Sequence, residues 1–397
     1  MQFDKLPGSD PKKDLLIFLF LYIFILALFG INRPCWRDEC HFVETVRLFI
    51  THPTLSTLRH YHETSTPLPF IIYALWGAII GDSLTSLRIA SLIIAFITYC
   101  SFYHLFTVLL LRPRIALLFT FFIALHPYML GASIFVFTDM LSMLFLAILL
   151  IAMKKGFPIF AFTASACGLL CRQYFIFVSF AAIIYCLWCF YVRKNRRDLF
   201  TATALIASTI PLIALFALWN GFCPINEEIY TTKGLFFHPN AVTLYLIQIF
   251  VYMLPLIFPY WKALYHSRLK LILSLSLCWM YWLFPVVPSE PAKAAKILTV
   301  GYLHRGLQIW PGEQFEHWIF FICFACALPI VMTFLSDIYL RFKNRSNDFA
   351  LFMNLSILSF LIIMPFSYVY WEKYFLPLMP IIAIQLAAFA RPYQEQA

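Results

Sequence analysis

The stretch LLIFLFLYIFILALFGINRPCWRDECHF, residues 15–42, decides the class of fold, because a long uncharged run gives way within a few positions to arginines, two acids and a histidine. Its apolar part, Leu15 to Ile31, suits a helix that crosses a bilayer: at a rise of about 1.5 Å per residue, roughly 20 residues cover about 30 Å of hydrocarbon. Ile89 to Leu111 and Tyr174 to Val192 read the same way. Of the 397 residues 62% are hydrophobic and only 12% charged, too little polarity to cover a soluble globule. Lipid must therefore be the solvent for most of the surface. The first run is too long for an ordinary signal-peptide core, and Phe29-Gly30-Ile31 offers no small-x-small cleavage site, so it reads as a retained signal anchor.

Basic residues give the expected orientation, since Lys and Arg of short loops stay on the cytoplasmic side. Lys12-Lys13, Arg112 and Arg114, Lys154-Lys155, Arg193 to Arg197, Lys262 to Lys270 and Arg341 to Arg345 fall at every second boundary of a simple threading. Its spans lie near 14–32, 85–111, 115–127, 139–153, 157–170, 174–192, 199–219, 241–262, 270–287, 318–340, 349–366 and 373–390. Both termini are then cytoplasmic, with 18 of the 29 Lys and Arg inside and 12 of the 19 Asp and Glu outside. The net charge of +10 is thus mostly a loop bias rather than a nucleic-acid footprint. Spans 115–127, 139–153 and 157–170 are short and need tilt or flanking residues. The expectation is one all-α, polytopic membrane domain, residues 1–397, with about twelve transmembrane helices.

Of the eleven cysteines, most, including Cys186/Cys189 and Cys323/Cys326, lie in apolar helices and read as small buried hydrophobes, not zinc ligands. Cys35 and Cys40 are expected to be free thiols, with pairing to each other or to Cys223 as the less favoured alternative.

The cytoplasmic connections are short, whereas the outer ones at 33–84, 220–240 and 288–317 are longer and carry most carboxylates and imidazoles. Function is expected to face outward. Asp38-Glu39 and His41 follow the anchor directly and sit close to the bilayer surface. Phe42 to Ile50 can form a short helix, and Pro67-Leu68-Pro69 opens an apolar stretch to Ile80 too short to cross and expected to lie in the interface. Further polar groups at span ends are Asp139, Cys171-Arg172-Gln173-Tyr174, and Tyr368 to Tyr374 running into Phe375-Leu376-Pro377. An ionisable group within a membrane costs about 2.5 kcal/mol or more, which makes each a functional candidate. Interfacial anchoring is the plain alternative, above all for Lys373 beside Trp371 and Tyr374.

These motifs resemble the GT-C superfamily of polyprenyl-phosphate-sugar glycosyltransferases, over nearly the whole chain. Asp38-Glu39-x-His41, Thr64-Ser65-Thr66-Pro67-Leu68-Pro69, Gly81-Asp82-Ser83-Leu84 before Leu87-Arg88, Arg172-Gln173, Asn220-Gly221 before His238-Pro239, and Glu372-Lys373-Tyr374-Phe375-Leu376-Pro377 are most similar to the dolichyl-phosphate-glucose alpha-1,2-glucosyltransferase family. The chain departs from it in having Lys-Tyr where Arg-Tyr is commoner, and in being shorter than the eukaryotic enzymes; the generic motifs also suit aminoarabinose and protein-mannosyl transferases. The resemblance implies an inverting transfer of a hexose, glucose favoured, from a polyprenyl or dolichyl phosphate to a glycan or lipid-linked acceptor. It implies Asp38 as catalytic base, with Glu39, His41 and Asp139 orienting the acceptor or together holding a divalent ion. Arg172, Gln173, Lys373 and Tyr374 are the expected phosphate-binding residues, and His62, Glu63, His238 and Arg305 weaker candidates for acceptor contacts. The implied location is a bacterial inner membrane or the endoplasmic reticulum membrane, with the site extracytoplasmic. A transporter or a lipid-handling protein without glycosyl transfer is the rival class, against which stand two unlike halves and charges gathered at one surface.

Overall fold

A computed structural model describes residues 10–110, 113–224, 236–265, 267–294, 296–367 and 369–394. Leu111 of the second expected span, Arg112 of the basic loop after it, most of the 220–240 loop and Tyr368 lie outside these. The described residues are all-helical, with no strand. In chain order the helices are α1 (Pro11–Phe29), α2 (Asp38–Thr51), α3 (Leu55–His60), α4 (Leu68–Ile80), α5 (Leu84–Leu110), α6 (Pro113–Ala124), α7 (Pro127–Ile134), α8 (Asp139–Lys155), α9 (Pro158–Cys171), α10 (Ile176–Arg193), α11 (Arg196–Ala207) and α12 (Ile210–Trp219). There follow α13 (Pro239–Ile257), α14 (Trp261–Tyr265), α15 (Arg268–Leu277), α16 (Glu290–Ala294), α17 (Tyr302–Leu307), α18 (Glu313–Lys343), α19 (Phe349–Ile363) and α20 (Leu378–Gln394).

Among the described residues, six helical stretches are long and apolar enough to cross a membrane: Leu84–Leu109, Gln173–Arg193, Arg196–Trp219, Pro239–Tyr260, Tyr302–Lys343 and Phe349–Phe366. A seventh is reached if α6 and α7, bent by 77° at their junction, are one broken span. The chain is thus a membrane protein by helix length and composition, but twelve full crossings are not seen. The physical reasons are local. Lys12, Lys13 and Asp14 shorten the apolar part of α1, α8 and α9 have only 17 and 14 residues, and α15 ends at Leu277, giving way to a 3-10 helix over Cys278–Trp282 instead of running to 287. At the α6–α7 break, Pro127 lacks an N–H and drives His126 to an extended ψ of 133°.

Helices α2 and α4 build a small core of their own. Phe42, Val43, Val46 and Phe49 form one face of α2 and meet Phe70, Tyr73 and Ala74 of α4, with Tyr61, Leu87 and Trp219 closing the cluster. α2 and α4 come so close that a Cβ on Gly77 would lie 2.6 Å from Ile50 Cδ1. Where α2 was expected from Phe42, it starts four residues earlier, which puts Asp38 and Glu39 in a first turn whose free N–H groups favour negative charge. Cys35 and Cys40 are joined in a disulfide that brackets this turn, contrary to the expectation of free thiols. Between them Arg37 takes φ 49°, a left-handed setting unusual for a residue with a Cβ.

The larger core takes in Phe18, Tyr22 and Leu26 of α1 and runs through α5 to α20. Several of its helices share a polarity. Asp139 begins α8 and Lys154-Lys155 end it, while α10 starts beside Arg172 and ends at Arg193. The basic ends meet: Arg193 donates to the Asn347 carbonyl at 3.0 Å, Arg197 to that of Gly156, and Lys154 lies over the Phe349 ring at 5.5 Å. The other ends of the same helices surround the cavity described next.

Candidate functional site

A cavity of about 1010 Å³ is walled by α2, the α3–α4 connection, the Arg172 turn, α17 and the segment before α20. Lys373 Nζ donates to Asp38 Oδ2 at 3.1 Å, joining residues 335 positions apart in the chain. Both side chains are part-exposed, 26% for Lys373 and 48% for Asp38, so the pair can be reached by a ligand. Burial pushes the Asp38 carboxyl up, but the Lys373 ammonium, through charge and hydrogen bond, together with His41 and Arg172, holds the group below its ordinary value.

Behind this pair lies a more enclosed one. Arg172 closes α9 and donates to Asp139 Oδ2 at 2.8 Å and to Ser65 Oγ at 2.9 Å, while Tyr174 donates to Asp139 Oδ1 at 3.1 Å. Arg172 lines the cavity, and its Nε is a buried donor with no hydrogen-bond partner. Such a donor is costly to leave unmade. Tyr374 lines the same wall, its ring 5.8 Å from that of Tyr174. The Gln173 amide is committed to two carbonyls, Thr64 at 2.6 Å and Phe222 at 3.3 Å, so it ties loops together and is not free for a phosphate.

His41 lies on the cavity with its Nδ1 2.6 Å from Glu63 Oε1, and Thr45 donates to the same oxygen at 3.3 Å. The Glu63 hydrogen bond, opposed by burial, raises the His41 pKa above its ordinary value. His62 and Arg305 are exposed cavity residues. His238 is not among the lining residues; its ring packs 5.5 Å from Tyr370.

Glu39 goes elsewhere. Its carboxylate is fully buried against Arg88, with Nε to Oε1 at 2.9 Å and Nη2 to Oε2 at 2.6 Å, and it accepts the Trp36 and Val136 N–H groups. Arg88 also donates to the carbonyls of Ile31, Arg33 and Pro34. Glu39 therefore fixes the anchor-to-α2 turn instead of facing an acceptor. With Glu39 held by Arg88, Asp139 by Arg172 and His41 by Glu63, the three do not form the ligand set expected of a divalent ion. No group of three or more His, Cys, Asp or Glu suited to a metal occurs among the described residues.

Sequence reasoning missed Arg88, Ser65, Tyr174 and Glu372 as working parts. Their signals were present: Arg88 lies near the start of a long apolar helix, and Ser65, Tyr174 and Glu372 belong to the same motifs as Thr64, Arg172 and Lys373. Glu372 is buried and accepts from Tyr128 Oη at 3.1 Å, Tyr252 Oη at 2.7 Å and the backbone N–H of Leu303 and His304 at 2.9 Å each. No family model, curated protein or solved structure matches the chain.

Proposed function

We propose that the protein is a membrane-embedded glycosyltransferase of GT-C type, moving a hexose from a polyprenyl phosphate to a hydroxyl of a glycan or lipid-linked acceptor on the extracytoplasmic face. The observation that carries this reading is the Asp38–Lys373 contact on a large cavity, backed by an Arg172 with an unfilled donor. A carboxylate and two cations are the groups that such a transfer needs: one to take a proton, the others to receive a leaving phosphate.

Asp38, ionised near neutrality, takes the acceptor proton as that oxygen bonds to the anomeric carbon. The bond from that carbon to the phosphate oxygen breaks in the same step, with inversion, and polyprenyl phosphate leaves. Lys373 and the free Nε–H of Arg172 receive its charge. A phosphate that draws Lys373 away also frees Asp38 from its main counter-charge, so donor binding raises the basicity of Asp38 when the acceptor needs it. Part of the resemblance is set aside: Glu39 holds the turn, and Gln173 braces the loops.

The sidedness rests on two supports. Basic helix ends gather opposite the cavity, as the positive-inside rule asks, and a Cys35–Cys40 disulfide belongs to an oxidising compartment. The threading of about twelve crossings belongs to this proposal, with α1, α6, α8, α9, α15 and α20 supplying the shorter ones. The test is sugar transfer by the purified protein supplied in turn with glucose-, mannose- and aminoarabinose-charged polyprenyl phosphates. One donor should be consumed by the wild type and not by Asp38→Asn. If none is consumed, the reading fails.

A further inference from the structure

One wall of the cavity is aromatic and held with unusual firmness. The Tyr302 ring stacks on Tyr128 with centroids 4.6 Å apart and planes 26° from parallel, and Tyr302 is 53% exposed. Tyr128 uses its hydroxyl twice, donating to Glu372 Oε2 and accepting the Tyr302 N–H at 2.8 Å. Glu372 holds the following two N–H groups, while its own N–H donates to the Val300 carbonyl at 3.0 Å and its carbonyl accepts from Gln248 at 2.9 Å. Gly301, at φ 159°, leaves room for this: a Cβ there would run into the Tyr128 hydroxyl and the Glu372 carboxyl group.

We propose that Tyr302, backed by Tyr128, is the stacking platform for a hexopyranose ring of the acceptor. The C–H face of a hexose is apolar and packs flat on an aromatic ring, while its rim hydroxyls need donors and acceptors. Arg305, three residues on and exposed in the same cavity, supplies donors for that rim. Trp36, also 53% exposed and lining the cavity, offers a further apolar face. An interfacial belt tyrosine would account for the exposure but not for the anchoring, because a belt ring needs no buried carboxyl group to fix its backbone. Glu372 is thus a positioning residue with two duties. It sets the platform through Tyr128 and residues 303–304, and it precedes Lys373, whose ammonium meets Asp38. Acceptor ring and leaving phosphate are thereby referred to one short segment.

The inference deepens the glycosyltransferase reading and rests on it, so its test has one arm that needs no transfer. In that arm, calorimetric titration of the detergent-solubilised protein with maltotetraose and with mannotetraose should show binding of at least one, weakened about tenfold by Tyr302→Ala. In the other arm, Tyr302→Ala should raise the KM for acceptor about tenfold while the KM for the lipid donor stays as in the wild type. Tyr302→Phe, which keeps the ring, should restore the acceptor KM, and an unchanged elution volume on size exclusion shows that the Ala variant is folded. Transfer with an unchanged acceptor KM would overturn the platform and leave the enzyme standing. Tetrasaccharide binding without transfer from any donor would support the platform and overturn the enzyme. Binding of neither tetrasaccharide, or equal binding by the Ala variant, counts against the platform.

Discussion

Asp38 and Glu39 are neighbours in sequence and share the first turn of one helix, yet they live in opposite surroundings. Each pairs with a distant cation. The Glu39–Arg88 pair is sealed, with neither side chain exposed, and every surrounding oxygen and N–H is part of the fold. The Asp38–Lys373 pair stands half open on a cavity. A sealed pair must be kept, because removing one partner strands a charge away from water. An open pair can be exchanged for a ligand at little cost, since exposed ion pairs contribute only about 0–1 kcal/mol to stability. The comparison separates what holds the turn from what that turn presents.

The sharpest way to break this contrast is to remove one partner from each pair. Asp38→Asn should lower sugar transfer by about 10²–10⁴-fold, the usual reach of a general base, while leaving thermal unfolding near that of the wild type. A large loss of stability in that variant would mean that the two acids are not different after all. Arg88→Ala should do the reverse, costing about 3–5 kcal/mol of stability in a detergent unfolding titration. Lys373→Met tests the open pair from its other side. With its counter-charge gone, the Asp38 pKa rises, so the acid limb of the pH–rate profile should move to higher pH, accompanied by a higher KM for donor. The smallest effect belongs to Glu63→Gln, which should bring the His41 titration, followed by NMR, back down toward an ordinary histidine. The sign follows from the raised value: stability lent by the His41–Glu63 contact is full below the unfolded histidine pKa and is lost as pH rises through the folded one.

The membrane class, the short α2 and α4 and the three motifs around Asp38, Arg172 and Lys373 were legible in the sequence, because runs of apolar residues and polar groups at their ends are local signals. What each polar group pairs with was not. Nothing near Glu39 announces that Arg88, 49 positions later, will enclose it, nor that Gln173 will face carbonyls and not a ligand. Six or seven of the twelve expected crossings appear as full-length apolar helices among the described residues, and the shortfall has a related cause. Hydropathy cannot distinguish a short helix buried among others from one that reaches both surfaces, and the 77° bend at His126-Pro127 is a tertiary outcome of a proline signal with two readings. The Cys35–Cys40 bridge depends on how tightly the anchor turns into α2, which Arg37 reaches only by adopting a left-handed backbone.

The meeting of Asp38 with Lys373 sets a timetable for biosynthesis. Residue 38 leaves the ribosome long before residue 373 is decoded, 335 codons later, so a nascent chain has the acid but not its partner. The working pocket comes into being only when the closing stretch is delivered into the bilayer. Under the glycosyltransferase proposal, half-made polypeptides at the translocon would carry the base without its cation and would be inert toward a lipid-linked sugar.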